Sequence, residues 1–135
     1  MHKAYVRGIA LIAAIAWSWG QAVWAAPTPE ALRQAVRDYI GEAEKAQGAF
    51  SVTDERTGAS RTLELVRVHE RVGKTGNYYY SCTDMKDVKT GDLLDLDFDV
   101  VDEGGLVSVA DVRIHKDNGK PRYTYDDKDN RIALP

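Results

Sequence analysis

The chain has 135 residues and a formal net charge of −3. This mildly acidic balance argues against nucleic acid and against an anionic membrane surface as partners, because both favour clustered Lys and Arg. The only cysteine is Cys82, which excludes an intramolecular disulfide and the paired-cysteine motifs of thioredoxin-like redox sites and c-type haem attachment.

The first 25 residues have the three parts of a secretory signal peptide. A basic start with Lys3 and Arg7 precedes an apolar run at 9–17, and residues suited to cleavage end at Ala25. The apolar run is shorter than the roughly 20 residues of a transmembrane helix, so we expect no stable membrane insertion after cleavage. We expect export to the bacterial periplasm or secretion of a single mature domain, 26–135, with a formal charge of 16 − 21 = −5.

The mature chain is predicted to begin with a helix over about 29–46. Thr28 suits the N-cap, and Pro29 occupies the first helical position, where its missing N–H costs nothing. Gly48 suits the end of this helix. One apolar stripe at helical spacing is formed by Leu32, Ala35, Val36, Tyr39, Ile40 and Ala43.

From residue 49 onward the helical period is lost, and turn signals containing glycine recur along the chain. The runs between them are rich in Val, Tyr, Thr, Leu and Phe, which is typical of strands. An antiparallel meander of about six strands is predicted near 49–55, 61–73, 77–86, 92–102, 106–116 and 120–125. The tail 126–135 is expected to be frayed in its acidic part, 126–130.

A helix with one apolar stripe and a sheet with one apolar face predict an α+β domain in which a curved meander packs on the helix. The sheet face toward the helix is expected to contain Phe50, Val52, Val66, Val68, Tyr78, Tyr80, Cys82, Leu94, Leu96, Phe98, Val100, Ala110, Val112 and Ile114. A bulge near Leu65 is needed to bring the start of the second strand into phase with its end.

Charged residues alternate with the apolar ones and form the opposite face, which is the candidate binding site: Arg67, His69, Asp95, Asp97, Asp99, Asp111, Arg113 and His115. For the acids to share a face with Arg113, the loop at Gly104-Gly105 must have an odd length, and we predict three or five residues.

Three acids in a row do not by themselves require a cation. Carboxylates two residues apart on a strand lie about 7 Å from each other and repel by only about 0.6 kcal/mol in water. The favoured interpretation is a solvated strand face balanced by Arg113 and by Arg67 or Arg71. The alternatives are a basic ligand or partner and a hard-metal site, although Asp95-x-Asp97-x-Asp99 lacks the glycine and final glutamate of an EF-hand loop.

Three further features carry chemistry that the sequence leaves open: two histidines, two tyrosines and the single cysteine. His69 and His115 could join a carboxylate in a transition-metal site or an acid/base pair, but their strands are not neighbours in a simple meander. Tyr78 and Tyr80 are expected to pack against the helix, or to line a cavity if the sheet stands off from it. Cys82 is interpreted as a buried small hydrophobe, with an intermolecular disulfide or a reactive thiol as alternatives.

Several short motifs lie between residues 49 and 125: Asp54-Glu55-Arg56-Thr57-Gly58, Val66-x-Val68-His69, Tyr79-Tyr80-x-Cys82-x-Asp84, Asp95-Leu96-Asp97-Phe98, Ile114-His115-Lys116 and Pro121-Arg122-Tyr123. In these motifs the chain resembles a group of small uncharacterised exported bacterial proteins, and the motifs imply no known chemistry. The order of a helix followed by a meander is similar to cystatin-like and NTF2-like folds. The cystatin loop Gln-x-Val-x-Gly is not matched in the mature chain.

The sequence favours an exported, non-catalytic domain that binds a protein partner or a small ligand. It contains no Gly-x-Ser-x-Gly, no His-Glu-x-x-His and no phosphate-binding glycine loop. No catalytic residue, metal ligand or cofactor is assigned at this point. The alternatives are a metal-dependent or acid/base enzyme that uses the Asp/His/Arg face, and a structural component of the cell envelope.

Overall fold

The computed structural model describes Gly20 and residues 23–135. The expected signal segment, 1–25, lies outside these residues except for Gly20 and 23–25. The described residues form one helix and eight strands: α1 (Pro29–Gln47), β1 (Phe50–Thr53), β2 (Ser60–Thr75), β3 (Tyr78–Asp87), β4 (Leu93–Glu103), β5 (Leu106–Asp117), β6 (Lys120–Pro121), β7 (Tyr123–Tyr125) and β8 (Arg131–Ala133). Within this part of the chain, no helix has the length and apolar character needed to cross a membrane.

The strands β1 to β6 form one antiparallel sheet in chain order, and β7 and β8 form a separate two-stranded hairpin. The helix packs on one face of the large sheet, so the α+β class is confirmed. The hairpin packs on the other face, where its side chains reach the acids of β4.

The helix α1 begins and ends as its sequence indicates. The side chain of Thr28 accepts a hydrogen bond from the Ala31 N–H at 3.1 Å, and Gly48 ends the helix in the left-handed region with φ 81°. Leu32, Val36 and Ile40 are buried against the sheet.

The core between helix and sheet is centred on β4. Leu94, Leu96, Phe98 and Val100 are each at most 1% exposed, which confirms the alternation read from the sequence. The ring of Phe98 lies 6.0 Å from that of Phe50 and 6.2 Å from that of Tyr39. Full burial of each of the four apolar side chains of β4 contributes about 1.5–3 kcal/mol.

The predicted phase of β3 is wrong. Tyr79 pairs with Val100 and Met85 pairs with Leu94, so the odd-numbered residues face the helix. Tyr78, Tyr80 and Cys82 therefore point to the opposite face.

Gly73 accounts for the position of Tyr80. It is the β2 partner of Tyr80, and a Cβ at Gly73 would lie 2.2 Å from the Tyr80 ring. Only glycine leaves the space for this ring to cross β2.

Two bulges shape β2. The first lies between Leu65 and Arg67, where the sequence predicts it. The extra residue, Val66, is 58% exposed and does not face the helix, contrary to expectation. The second falls between Val68 and Val72, so residues 69–71 stand opposite Cys82 alone.

The turn between β4 and β5 has two residues, so the predicted odd-length loop is wrong. Glu103 pairs with Leu106, and Gly104 and Gly105 both have positive φ, as a type I′ turn requires. A bulge at Ala110 changes the phase instead, which exposes Ala110 rather than turning it toward the helix. A second bulge in β5 places His115 as an extra residue between Ile114 and Lys116.

The tail is ordered, contrary to the expectation of a frayed end. The predicted sixth strand, 120–125, is divided between β6 in the main sheet and β7 in the hairpin. Asp126 closes the turn from β7 to β8, because its Oδ1 accepts hydrogen bonds from the backbone N–H groups of Lys128 and Asn130, both at 2.8 Å.

Candidate functional site

The acids of β4 form a buried face rather than a solvated one. The exposed fractions of Asp95, Asp97 and Asp99 are 9%, 0% and 4%. The β7–β8 hairpin covers them, because Tyr123, Tyr125 and Arg131 all bond to this row. The expected solvated strand face is therefore wrong, because the C-terminal segment folds into a hairpin that shields the acids from solvent.

At one end of the row, arginines neutralise the charge. Asp99 lies directly opposite Asp111, and Arg113 contacts both carboxylates. Arg131 adds a contact from its Nη2 to Asp99 Oδ1 at 2.9 Å. At this end the acids are therefore paired with arginines.

In the middle of the row, Asp97 is held by neutral donors. The Cys82 thiol donates to Oδ1 at 2.8 Å, and the hydroxyls of Tyr123 and Tyr125 both donate to Oδ2 at 2.6 Å. Within the described part of the chain, the nearest basic atom is His115 Nδ1, 3.8 Å from Oδ2. Asp97 is thus hydrogen-bonded but has no arginine or lysine as an ion-pair partner among the described residues.

The orientation of His115 leaves one ring nitrogen free toward this cluster. Its Nε2 lies 3.0 Å from the backbone carbonyl oxygen of Tyr123, which can only accept, so Nε2 carries the hydrogen. In the neutral ring, Nδ1 then holds a lone pair. His115 is 9% exposed, and its Nδ1 has no hydrogen-bond partner in the described part of the chain.

At the other end of the row, Asp95 lies directly opposite Asp84. Its Oδ1 is buried and without a hydrogen-bond partner within 23–135, and its Oδ2 is 3.8 Å from the Lys116 ammonium. Burial raises the pKa of Asp95, and the charge of Asp97 raises it further. A bound cation near Oδ1 would oppose both effects.

Cys82 lies on this polar face and is a free, partly buried thiol. Burial raises the pKa of this thiol, and the negative charge of Asp97 adds to the shift. Without a cation, Cys82 therefore remains a protonated donor to Asp97. The expectation that Cys82 packs as a small hydrophobe toward the helix is wrong.

The donor atoms of Cys82, Asp95, Asp97 and His115 lie within 4.8 Å of one another. We call these four residues the inner cluster. The edges of a tetrahedral zinc site are about 3.3–3.8 Å long, given bonds of about 2.0–2.3 Å. Small side-chain movements would therefore bring all four donors onto one ion.

A cavity of about 230 Å³ adjoins the inner cluster. His69 and His115 both line it, although their strands are not neighbours in the sheet. The bulge at 69–71 and the bulge at His115 lie on either side of β3 and β4. Such bulges commonly redirect side chains beside functional sites.

Tyr78 and Tyr80, expected to pack against the helix or to line a cavity beneath it, lie on the opposite face of the sheet. Tyr80 lines the cavity beside the inner cluster, stacks on Tyr125 at 4.3 Å and donates from its hydroxyl to Asp129 at 2.9 Å. Burial, and then the Asp129 carboxylate, raise the pKa of Tyr80 to about 12. Tyr78 is 43% exposed.

The eight residues predicted as a binding face separate into three groups. Asp99, Asp111 and Arg113 belong to the ion-paired end of the row, and Arg67 pairs with Asp84 at an exposed position. The remaining members border the cavity or the inner cluster: His69, Asp95, Asp97 and His115. Sequence reasoning did not assign Cys82, Tyr123, Tyr125 or Arg131 to the site.

No family model, curated protein or solved structure with which the chain was compared matches it.

Proposed function

We propose that this protein is an exported, non-catalytic domain that binds one zinc-class divalent metal ion in the inner cluster. By zinc-class we mean Zn²⁺ and ions with similar donor preferences, such as Co²⁺. The observation that carries the proposal is a pair of buried ligand atoms, Asp95 Oδ1 and His115 Nδ1. Neither atom has a hydrogen-bond partner among the described residues, and both residues belong to one group of possible metal ligands with Cys82 and Asp97.

Charge supports a cation at this position. Two carboxylates and a thiol that can ionise lie together here, and the nearest lysine nitrogen is 3.8 Å from Asp95 on a side chain that is 41% exposed. Buried carboxylates are costly unless they are paired or bind a metal. A divalent ion that displaces the thiol proton would supply the missing charge.

The donor types indicate which ions would bind. Thiolate and imidazole favour zinc and its neighbours, whereas Ca²⁺ and Mg²⁺ favour oxygen ligands alone. Four protein ligands complete a tetrahedral shell, which is typical of structural zinc sites. A catalytic zinc ion instead keeps one coordination position open for water or substrate. For this reason we assign binding rather than catalysis.

The surroundings of the ligands match those of metal sites. A metal-bound histidine usually donates its second N–H to a carbonyl or carboxylate, and bound carboxylates are themselves hydrogen-bonded. Here the Tyr123 carbonyl accepts from His115, and the hydroxyls of Tyr123 and Tyr125 donate to Asp97. The hairpin thus fixes two of the four ligands.

The proposal also includes the setting of the domain. Export to the periplasm or secretion rests on the pattern of residues 1–25, and a relation to small exported bacterial proteins rests on the motifs between 49 and 125. The order of a helix followed by a meander supports a cystatin-like or NTF2-like architecture. Partner proteins would meet the metal-loaded domain in that compartment.

The test is to titrate the purified chain, made without a histidine tag and kept reduced by a non-thiol reductant, with Co²⁺ and Zn²⁺. We expect Co²⁺ to produce a thiolate-to-metal charge-transfer band that saturates and that Zn²⁺ abolishes. Asp95→Asn should weaken binding at least about tenfold. Asp111→Asn is the matched control, because it removes a carboxylate from the same face outside the inner cluster. A chain that gives no charge-transfer band would overturn the proposal.

A further inference from the structure

We infer that His69, Asp84 and Asp95 form a second, more exposed metal site that shares Asp95 with the inner cluster. We call these three residues the outer site. The inference rests on the proposed function, because it assigns a second ion of the same class to the same cavity system.

The three side chains lie close enough together for small movements to bring their donors onto one ion. Their donor atoms fall within 4.8 Å of one another. His69 Nε2 is 2.8 Å from Asp84 Oδ1, and the side chains of His69 and Asp84 are 29% and 33% exposed. The outer site is therefore partly open to solvent.

The sheet register places Asp84 and Asp95 directly opposite each other. Like charges in this position destabilise a sheet unless a cation lies between them. The protein solves the same problem elsewhere, because Arg113 contacts both members of the opposed pair Asp99 and Asp111. Between Asp84 and Asp95 the described chain places no arginine in contact with both.

Asp95 connects the outer site to the inner cluster. It is 9% exposed, its Oδ1 lacks a hydrogen-bond partner within the described chain, and it belongs to both groups of metal donors. A single carboxylate can bridge two ions through its two oxygens, at the separation of about 3.5–4 Å found in two-metal sites.

Two cavities are lined by residues of the outer site and the inner cluster. One cavity of about 310 Å³ is lined by Asp84, and another of about 230 Å³ is lined by Cys82. Both are also lined by His69, Asp95 and Lys116. An ion bound at the outer site therefore lies on the open side of the buried cluster, where it can pass along Asp95 to Cys82 and His115.

The test combines metal stoichiometry by native mass spectrometry with the Co²⁺ charge-transfer band, again on the untagged chain. We expect two ions per chain in the wild type. His69→Gln and, independently, Asp84→Asn should each leave one ion and keep the thiolate band. Cys82→Ser should leave one ion and lose the band. Glu70→Gln, an exposed neighbour on the same strand, is the control and should retain both ions.

The possible outcomes separate the two proposals. A wild type that binds one ion with the thiolate band, unchanged by His69→Gln, overturns the outer site and leaves the proposed function standing. A wild type without the band overturns the proposed function. In that case, one ion that is lost in both His69→Gln and Asp84→Asn supports the outer site, and no bound ion overturns it as well.

Discussion

Asp54 and Asp97 are two fully buried carboxylates, with exposed fractions of 1% and 0%, but their partners differ in kind. Asp54 accepts hydrogen bonds from both terminal nitrogens of Arg122, at 2.7 and 2.9 Å, and its Oδ2 lies 3.5 Å from Arg61 Nη1. Asp97 accepts hydrogen bonds from one thiol and two phenol groups, all of which are neutral at pH 7. The first carboxylate is neutralised by the protein itself, and the second is only hydrogen-bonded.

This difference separates a structural charge from one that we propose to be functional. The pair of Asp54 and Arg122 ties the loop after β1 to the segment after β6, and Arg61 extends the network to Asp87 and Asp92. Nothing in that network needs a further ion. In the proposed function, Asp97 and its neighbours instead exchange the thiol proton for a metal, because none of the donors to Asp97 is a permanent cation.

The largest expected effect is a contrast between two equivalent substitutions. In the metal-free chain, Asp54→Asn should lower the free energy of unfolding by about 3 kcal/mol or more, because it leaves Arg122 buried without its counter-ion. Asp97→Asn should cost less than about 1 kcal/mol, because its carbonyl still accepts from the tyrosines and no cation is left unpaired. Urea unfolding of both variants measures the difference, and equal losses would contradict it.

A smaller effect is expected on acidification. The hydrogen bond from Arg122 is the main cause that lowers the pKa of Asp54 to about 2. A carboxyl with a lowered pKa in the folded state stabilises the fold above its unfolded pKa, near 4, and this contribution is lost as the pH falls toward 2. We expect a loss of about 2 kcal/mol over this window.

Unfolding of the wild type at several pH values between 4 and 2 measures this loss. Asp54→Asn is the control. Because this variant lacks the carboxyl group, its loss of stability between pH 4 and 2 should be smaller than that of the wild type by about 2 kcal/mol. An equal pH dependence in the two proteins would show that Asp54 is not the group responsible.

The smallest expected effect concerns the cover over Asp97. Tyr123→Phe removes one hydroxyl that donates to the carboxylate and should cost about 1.5 kcal/mol, as expected for hydrogen bonds to charged groups. Tyr78→Phe is the matched control at an exposed tyrosine and should change stability by less than about 0.5 kcal/mol. If both variants unfold at the same denaturant concentration, the hydroxyl of Tyr123 does not support Asp97.

The sequence predicts the elements of this fold better than their faces. The cap at Thr28, the stop at Gly48 and the alternation in β4 depend on local chemistry, and the structure agrees with them. The three consecutive tyrosines of β3 contain no alternation, so their phase depends on a distant residue, Gly73, which alone leaves space for a ring.

The site was less predictable because long-range contacts create it. Asp95, Asp97, His69 and His115 could be selected from the sequence as residues of one polar face. The burial of these residues could not be predicted, because it depends on the β7–β8 hairpin. The acidic turn of that hairpin has the sequence of a frayed end. The bulge at His115 is equally invisible in the sequence, since nothing in the run Ile114-His115-Lys116 shows which residue is extra.

The central claim is that one ion is held by Cys82, Asp95, Asp97 and His115, and X-ray absorption at the zinc edge tests it most directly. The sample is the His69→Gln chain, which isolates the inner cluster, loaded with one equivalent of Zn²⁺. We expect a first shell of one sulfur at about 2.3 Å and three nitrogen or oxygen atoms at about 2.0–2.2 Å. A shell of nitrogen and oxygen alone would contradict the claim.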